Sequence, residues 1–189
     1  MIRNNEKKTT LDPLQKLLPI MNTSLKDLLS GPLQKVPMVA LLKSDASVFD
    51  QAIVLACEPD EKTAWRAAWV LYHAMSEKDI RLQSHLARLI HSLQGKRDGH
   101  QRELLKIIEK LDCDEDHEGE LFDVCMSIWE QVNKSPSVRI TAFRLICRMA
   151  AKYPDLKQEM NFIAQDHYIE SLSPGIKASV ERMRAQMGV

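Results

Sequence analysis

Residues 135–149 read SPSVRITAFRLICRM, and residues 173–187, 38 positions later, read SPGIKASVERMRAQM. A helix-sized unit written twice at such an interval marks an array. Each unit leaves an apolar face that is covered only when the next unit stacks on it. In both copies the chemistry of a helix start comes first, with Ser135 and Ser173 at the capping position and Pro136 and Pro174 in the first turn, where no hydrogen bond is lost. Val138 and Ile176 follow as apolar anchors with the bases Arg139 and Lys177 beside them. Arg144 then matches Arg182, and Met149 matches Met187.

A second comparison extends the array. At an offset of 74, residues 60–89 align with 134–163, pairing Ala68, Leu71, Met75, Lys78 and Leu82 with Ala142, Leu145, Met149, Lys152 and Leu156. Ala64, Ala68, Leu71 and Met75 keep the spacing of one helix face, as do Val138, Ala142, Leu145 and Met149, while Leu104, Ile107 and Leu111 continue the row between them. Partner helices repeat too, through Leu82, Leu86 and Leu89, then Leu121, Cys125 and Ile128, then Leu156, Met160 and Ile163, with Phe49, Ile53 and Ala56 as an earlier member. The sequence therefore predicts four helix pairs over 46–75, 79–111, 118–151 and 155–187. No run alternates apolar and polar residues around a two-residue glycine turn, so the expected fold is all-α, a short α-solenoid. Residues 1–45 depart from the repeat. Leu14, Leu17 and Leu18, then Leu25, Leu28 and Leu29, predict short helices broken by Pro19, Gly31, Pro32 and Pro37, serving as an N-terminal cap or arm on a repeat domain of residues 46–189.

Ser135-Pro-Ser-Val138-Arg139 with Ala142 and Leu145 resembles the second helix of a HEAT repeat, a resemblance that covers roughly residues 46–187 and implies an armadillo-like stack of helix pairs. The chain, with its AWRAAWVL helix at 64–71 and its closing SPGIK at 173–177, also resembles small bacterial HEAT-like proteins sometimes labelled adenylosuccinate lyase. Lyases of that superfamily are much longer and carry a Ser-rich signature loop with Met, Pro, Lys and Asn. No segment here matches that loop, so the resemblance implies fold and not activity.

Composition points to a cytoplasmic protein. Residues 1–20 hold Arg3, Glu6, Lys7, Lys8, Asp12 and Lys16 in place of the apolar core of a signal peptide, and no later run has the length of a membrane span. Cys57, Cys113, Cys125 and Cys147 form no CxxC pair and are expected to pack as free thiols. The charge is balanced at 26 bases and 26 acids, which argues against a nucleic-acid reader, yet residues 112–130 carry eight acids and no base. Asp112, Asp114 and Asp116 alternate as the first ligands of a calcium loop do, but His117 stands where that loop needs Gly and Asp123 where it needs Glu, so these acids are expected to flank the next helix. The six histidines are scattered, with no HExxH and no phosphate loop, and neither a metal nor a cofactor is expected.

Two functions fit. Glycosylases that remove alkylated bases from DNA are built from HEAT-like pairs and use Trp, Asp and Arg in a basic cleft, a set that Trp65, Trp69, Arg66, Arg144 and Arg148 imitate. The preferred reading is a non-catalytic scaffold for a protein or peptide, including a second copy of the chain as a homo-oligomer. Arg66, Trp69, Tyr72, Arg139, Arg144 and Arg148 are its expected partner-binding anchors.

Overall fold

Over residues 24–59 and 62–188, which the computed structural model describes, the apolar rows of the sequence become the buried faces of helices, and no strand is present among them. Asp45 accepts from the backbone N–H groups of Ser47 and Val48 and so starts α3 (Ala46–Cys57), which buries Phe49, Ala52, Ile53 and Ala56. That face meets α4 (Lys62–Ala74), where Ala64, Ala67, Ala68 and Leu71 are buried and the small side chains let the two backbones come close. The second unit is α5 (Ile80–Gln83), α6 (Leu86–His91) and α7 (Asp98–Glu109). The third is α8 (Glu115–Glu130) and α9 (Pro136–Lys152). The fourth is a 3-10 turn at 154–156, α10 (Lys157–Ile163), α11 (Asp166–Ile169) and α12 (Pro174–Met187).

The second helices α4, α7, α9 and α12 each pack on the next and form one layer, and the first helices form the other. A continuous core runs between the layers from Leu25 to Val180 and includes every predicted row residue except Ala64, which is buried outside it, and Leu156, which is half-buried. Ahead of the array, α1 (Leu25–Ser30) and α2 (Lys35–Ser44) pack on α3 and α4. Leu14, Leu17, Leu18 and Pro19 lie outside the described residues.

Four local expectations change. Pro37 does not break a helix but sits in the first turn of α2, where its missing N–H has no intrahelical partner to lose. Ser135 and Ser173 stand at the N-cap positions but make no capping bond; the Ser135 hydroxyl pairs with that of Ser137, and its backbone N–H is taken by the Asp98 carboxylate. The third unit begins at Glu115, because Asp114 caps α8 by accepting from His117 N–H and places Glu115, Asp116 and Glu118 in the positive first turn. Finally, the first helices of units two and four are broken. Unit two starts on Asp79, a buried carboxylate that caps α5 by taking the N–H groups of Ser76 (3.1 Å) and Arg81 (3.2 Å) and a two-pronged bond from the Arg81 guanidinium (2.9 and 2.7 Å), and its helix is interrupted at Ser84 and His85. The Arg81 bond holds the Asp79 carboxyl well below the usual carboxylate range. Arg81 in turn lies 3.5 Å from the centre of the Phe49 ring, which ties unit two to α3.

So many helix ends leave carbonyls without intrahelical partners, and side chains from the second helices and the loop before α7 take them. Arg66 donates to Leu29 and Gly31 carbonyls (both 2.6 Å), Gln101 to Leu93 (2.9 Å), and the His100 Nε2 lies 2.9 Å from the Ala56 carbonyl. Lys96 reaches the Cys57 and Glu58 carbonyls. Arg139 is fully buried, with Nε on the Trp129 carbonyl (2.9 Å) and Nη2 on that of Tyr168, and its guanidinium lies 4.7 Å from the Trp129 ring centre. The Trp129 indole N–H closes the joint on the Ile163 carbonyl at 2.7 Å. Replacing Arg139 with Ala opens a cavity and strands two buried carbonyls, an expected cost of about 3 kcal/mol. At roughly 2–4 °C per kcal/mol for a chain of this size, calorimetry should record a melting point lower by roughly 6–12 °C. A drop smaller than about 2 °C would show that the joint contributes little.

Candidate functional site

Each second helix turns one face into the core and its opposite face outward, and these outer faces join because the helices run parallel. The Trp65 indole lies near Gly99 and Arg102 reaches Ser137 (3.5 Å) at one end, while Tyr72 meets Lys110 and Arg148 meets Glu109 at the other. The shared surface is rich in bases and aromatic rings. On α4, Trp69 packs edge-on to His73 at 4.8 Å, with Tyr72 edge-on to the same ring at 5.2 Å. Lys35 of α2 stands 5.7 Å from the Trp69 ring centre, and Lys106 of α7 and Lys110 at its C-cap stand 3.8 and 4.8 Å from that of Tyr72.

Glu103 lies beneath this surface with 1% exposure, and a buried carboxylate must be paired. Arg102 (3.1 and 2.8 Å) and Lys106 (2.7 Å) supply the pairing. Farther along, Glu109 accepts a two-pronged bond from Arg144 (2.9 and 3.0 Å), and its backbone carbonyl accepts from Arg148 at 2.7 Å. Lys110 meets Glu77 at 3.2 Å. Six bases, Lys35, Arg102, Lys106, Lys110, Arg144 and Arg148, thus gather around three carboxylates, and the face is electropositive on a chain whose net charge is zero.

Of the six anchors expected from sequence, this face holds Trp69 and Tyr72, both half-buried, and the exposed Arg144 and Arg148. Arg66 lies toward the α1 end, its guanidinium given to the Leu29 and Gly31 carbonyls. Arg139 is corrected. With no exposure and both ends of its guanidinium on buried carbonyls, it is a structural joint and offers nothing to a partner. The glycosylase-like grouping is not assembled either. Trp65 lines a separate cavity of about 470 Å³ with Lys62, Arg97, Gly99 and His100, and the carboxylates of the second-helix face, Glu103 and Glu109, are both paired with bases.

Sequence reasoning passed over Lys106, Lys110 and Arg102 on this face. The signal was present, since Lys106 precedes Arg144, and Lys110 precedes Arg148, by the same 38 residues that separate Arg144 from Arg182.

Burial pushes the Cys113 thiol up to about 11 and the Cys147 thiol up to about 12, so both stay protonated at neutral pH. Much of the acidic 112–120 stretch goes to capping and ion pairs, with Asp114 capping α8, Lys78 on Asp112 (2.9 Å) and Lys152 on Glu118 (2.8 Å), while Asp116 stays exposed. Among the described residues, no three His, Cys, Asp or Glu side chains are placed to hold a metal ion.

His73 is held below the ordinary histidine value, first by burial and then by the charges of Lys35 and Lys106. Its proton is therefore bound more readily in the unfolded chain, so its contribution to stability is present at neutral pH and is lost as pH falls through the ordinary value near 6.5. Proton NMR should show His73 titrating below that value and moving upward in Lys106→Met; a titration unmoved by that change would separate the two groups.

Comparison with known proteins gives one result on the family. A family model described as a HEAT repeat domain matches residues 26–187. No curated protein and no solved structure matches the chain significantly.

Proposed function

This chain belongs to the HEAT-repeat family, and from that premise we propose that it is a non-catalytic scaffold binding a protein or peptide across its second-helix face. The observation that carries this reading is the unbroken run of rings and bases over three stacked helices, from Trp69 and Tyr72 through Lys106 and Lys110 to Arg144 and Arg148. Stacked second helices provide an extended surface larger than any one unit, and Tyr, Trp and Arg are the side chains that concentrate binding energy at protein interfaces. Trp69 and Tyr72 are already fixed by His73 and the neighbouring ammonium groups, so little side-chain freedom is lost on contact.

A nucleic-acid partner is the competing reading. It is disfavoured by Glu103 and Glu109, which stand within the row and neutralise part of it, and by a net charge of zero, which gives no long-range attraction to polyphosphate. The packing of α1 and α2 on the first pair supports the capping role proposed for residues 1–45. No helix among the described residues is long and apolar enough to cross a membrane. The free thiols support the proposed cytoplasmic location.

Arg144→Glu with Arg148→Glu reverses two exposed charges and touches no core residue. A partner enriched from native lysate by the wild-type chain should be retained about tenfold less by this double variant, a difference near 1.4 kcal/mol. Equal retention, or no enriched protein at all, would count against the second-helix face.

A further inference from the structure

The chain is neutral overall, but the fold sets a row of bases on the second helices and an acidic stripe on the first helix α8. On the second-helix layer Lys106, Arg144 and Arg182 occupy one register position of α7, α9 and α12, each 38 residues after the last. Neighbouring packed helices lie about 8–10 Å apart, so this row sets positive charge at steps of roughly 10 Å across about 20 Å. Lys110 and Arg148 stand one turn farther on. Arg148 and Arg182 are exposed and, among the described residues, form no ion pair: Arg148 is on the Glu109 carbonyl, and Arg182 is on the Ala178 carbonyl (3.3 Å) and the Ser179 hydroxyl (3.0 Å).

The first-helix layer carries the complement. Asp116, Glu120, Asp123 and Glu130 are all exposed on α8, spaced four, three and seven apart, which puts them in one stripe. At 1.5 Å per residue, Asp123 lies about 10 Å and Glu130 about 21 Å from Asp116. Among the described residues only Glu120 of these four has a basic neighbour, His91 at 3.7 Å. The acidic stripe and the cationic row are opposite in sign and comparable in step and length.

We propose that the Lys106–Arg144–Arg182 row of one molecule receives the α8 acidic stripe of a second copy, head to tail. This rests on the second-helix face being the binding surface and names its occupant. The two surfaces are different, so the contact is heterologous and each added molecule leaves one of each unused; association is open-ended. Exposed ion pairs are individually small, so the assembly is weak and falls steeply with salt. The match in spacing favours a second copy over a polyphosphate, which would also meet Glu103 and Glu109 in the row.

Sedimentation velocity on the full chain tests this. At about 0.01 M salt, where the screening length is roughly 30 Å, the average mass should rise with concentration, and at about 1 M, where it is roughly 3 Å, it should return to the 21.6 kDa of one chain. Arg144→Glu with Arg182→Glu removes the receiving row, and Glu120→Lys with Asp123→Lys removes the entering stripe. Each variant alone should associate at least about tenfold more weakly than wild type. Mixed together, they should form a complex that stops at two chains, because only one intact row and one intact stripe can meet. Arg148→Ala with Arg182→Ala keeps the Arg144 pair with Glu109 and should weaken association in the same direction. A wild-type chain that stays monomeric at low salt overturns the proposal, as does a mixture that stays monomeric or an assembly unchanged in either charge-reversal variant. If a lysate partner is nevertheless lost in Arg144→Glu with Arg148→Glu, the face binds a different protein. If instead the monomer is retained on a single-stranded DNA column at low salt, the row serves phosphate and the second copy is excluded.

Discussion

Every helix that ends leaves backbone carbonyls without partners, and a fold made of many short helices has to place those ends somewhere dry. The answer here is a set of long side chains carried by the second helices and, for Lys96, by the loop before one of them. Arg66, Lys96, His100, Gln101 and Arg139 each reach the carbonyl end of another helix. Gln101 and Arg139 show that this is part of the repeat itself. They stand 38 residues apart, and each binds the end of the first helix in its own unit, at Leu93 and Trp129 respectively. Apolar burial holds the layers together without direction, whereas these bonds fix how far each pair slides along the next.

That role explains why Arg139 misleads a reader of the sequence. A base beside an apolar anchor at a helix start has the look of a surface residue, because charged side chains are rarely fully buried. Its partners are the carbonyls of Trp129 and Tyr168, ten residues upstream and 29 downstream, and a carbonyl has no residue-specific signature in a sequence. The core was far more legible. Ala68, Leu71, Leu104, Ile107, Ala142 and Leu145 are buried as their spacing requires, since every unit must cover the same face with the same period. The break at α5–α6 was hidden by that same rule, because Leu82, Leu86 and Leu89 keep a helical spacing across the interruption at Ser84 and His85. At the candidate site the exposed Arg144 and Arg148 were legible, while Lys106 and Lys110 gained their meaning only when α7 came to lie between α4 and α9.

Net charge proves a poor summary of such a chain. Balanced totals suggest a surface on which signs are mixed, yet the acids of 112–130 fall on or before one first helix while the bases of α7, α9 and α12 fall on the other layer. In a two-layer fold the sign of a surface depends on which helix of the pair a residue joins, and neighbouring stretches of sequence go to opposite sides.

The interrupted first helices carry a mechanical consequence. Units one and three have continuous first helices, α3 and α8, whereas units two and four are each split into short pieces. A rod under bending load yields where it is jointed. The elastic compliance of the stack is therefore concentrated on one side and in alternate units, and the parallel second helices act as its spine. Deformation would change the curvature of the molecule chiefly by opening or closing the jointed side, leaving the distances within the spine nearly constant.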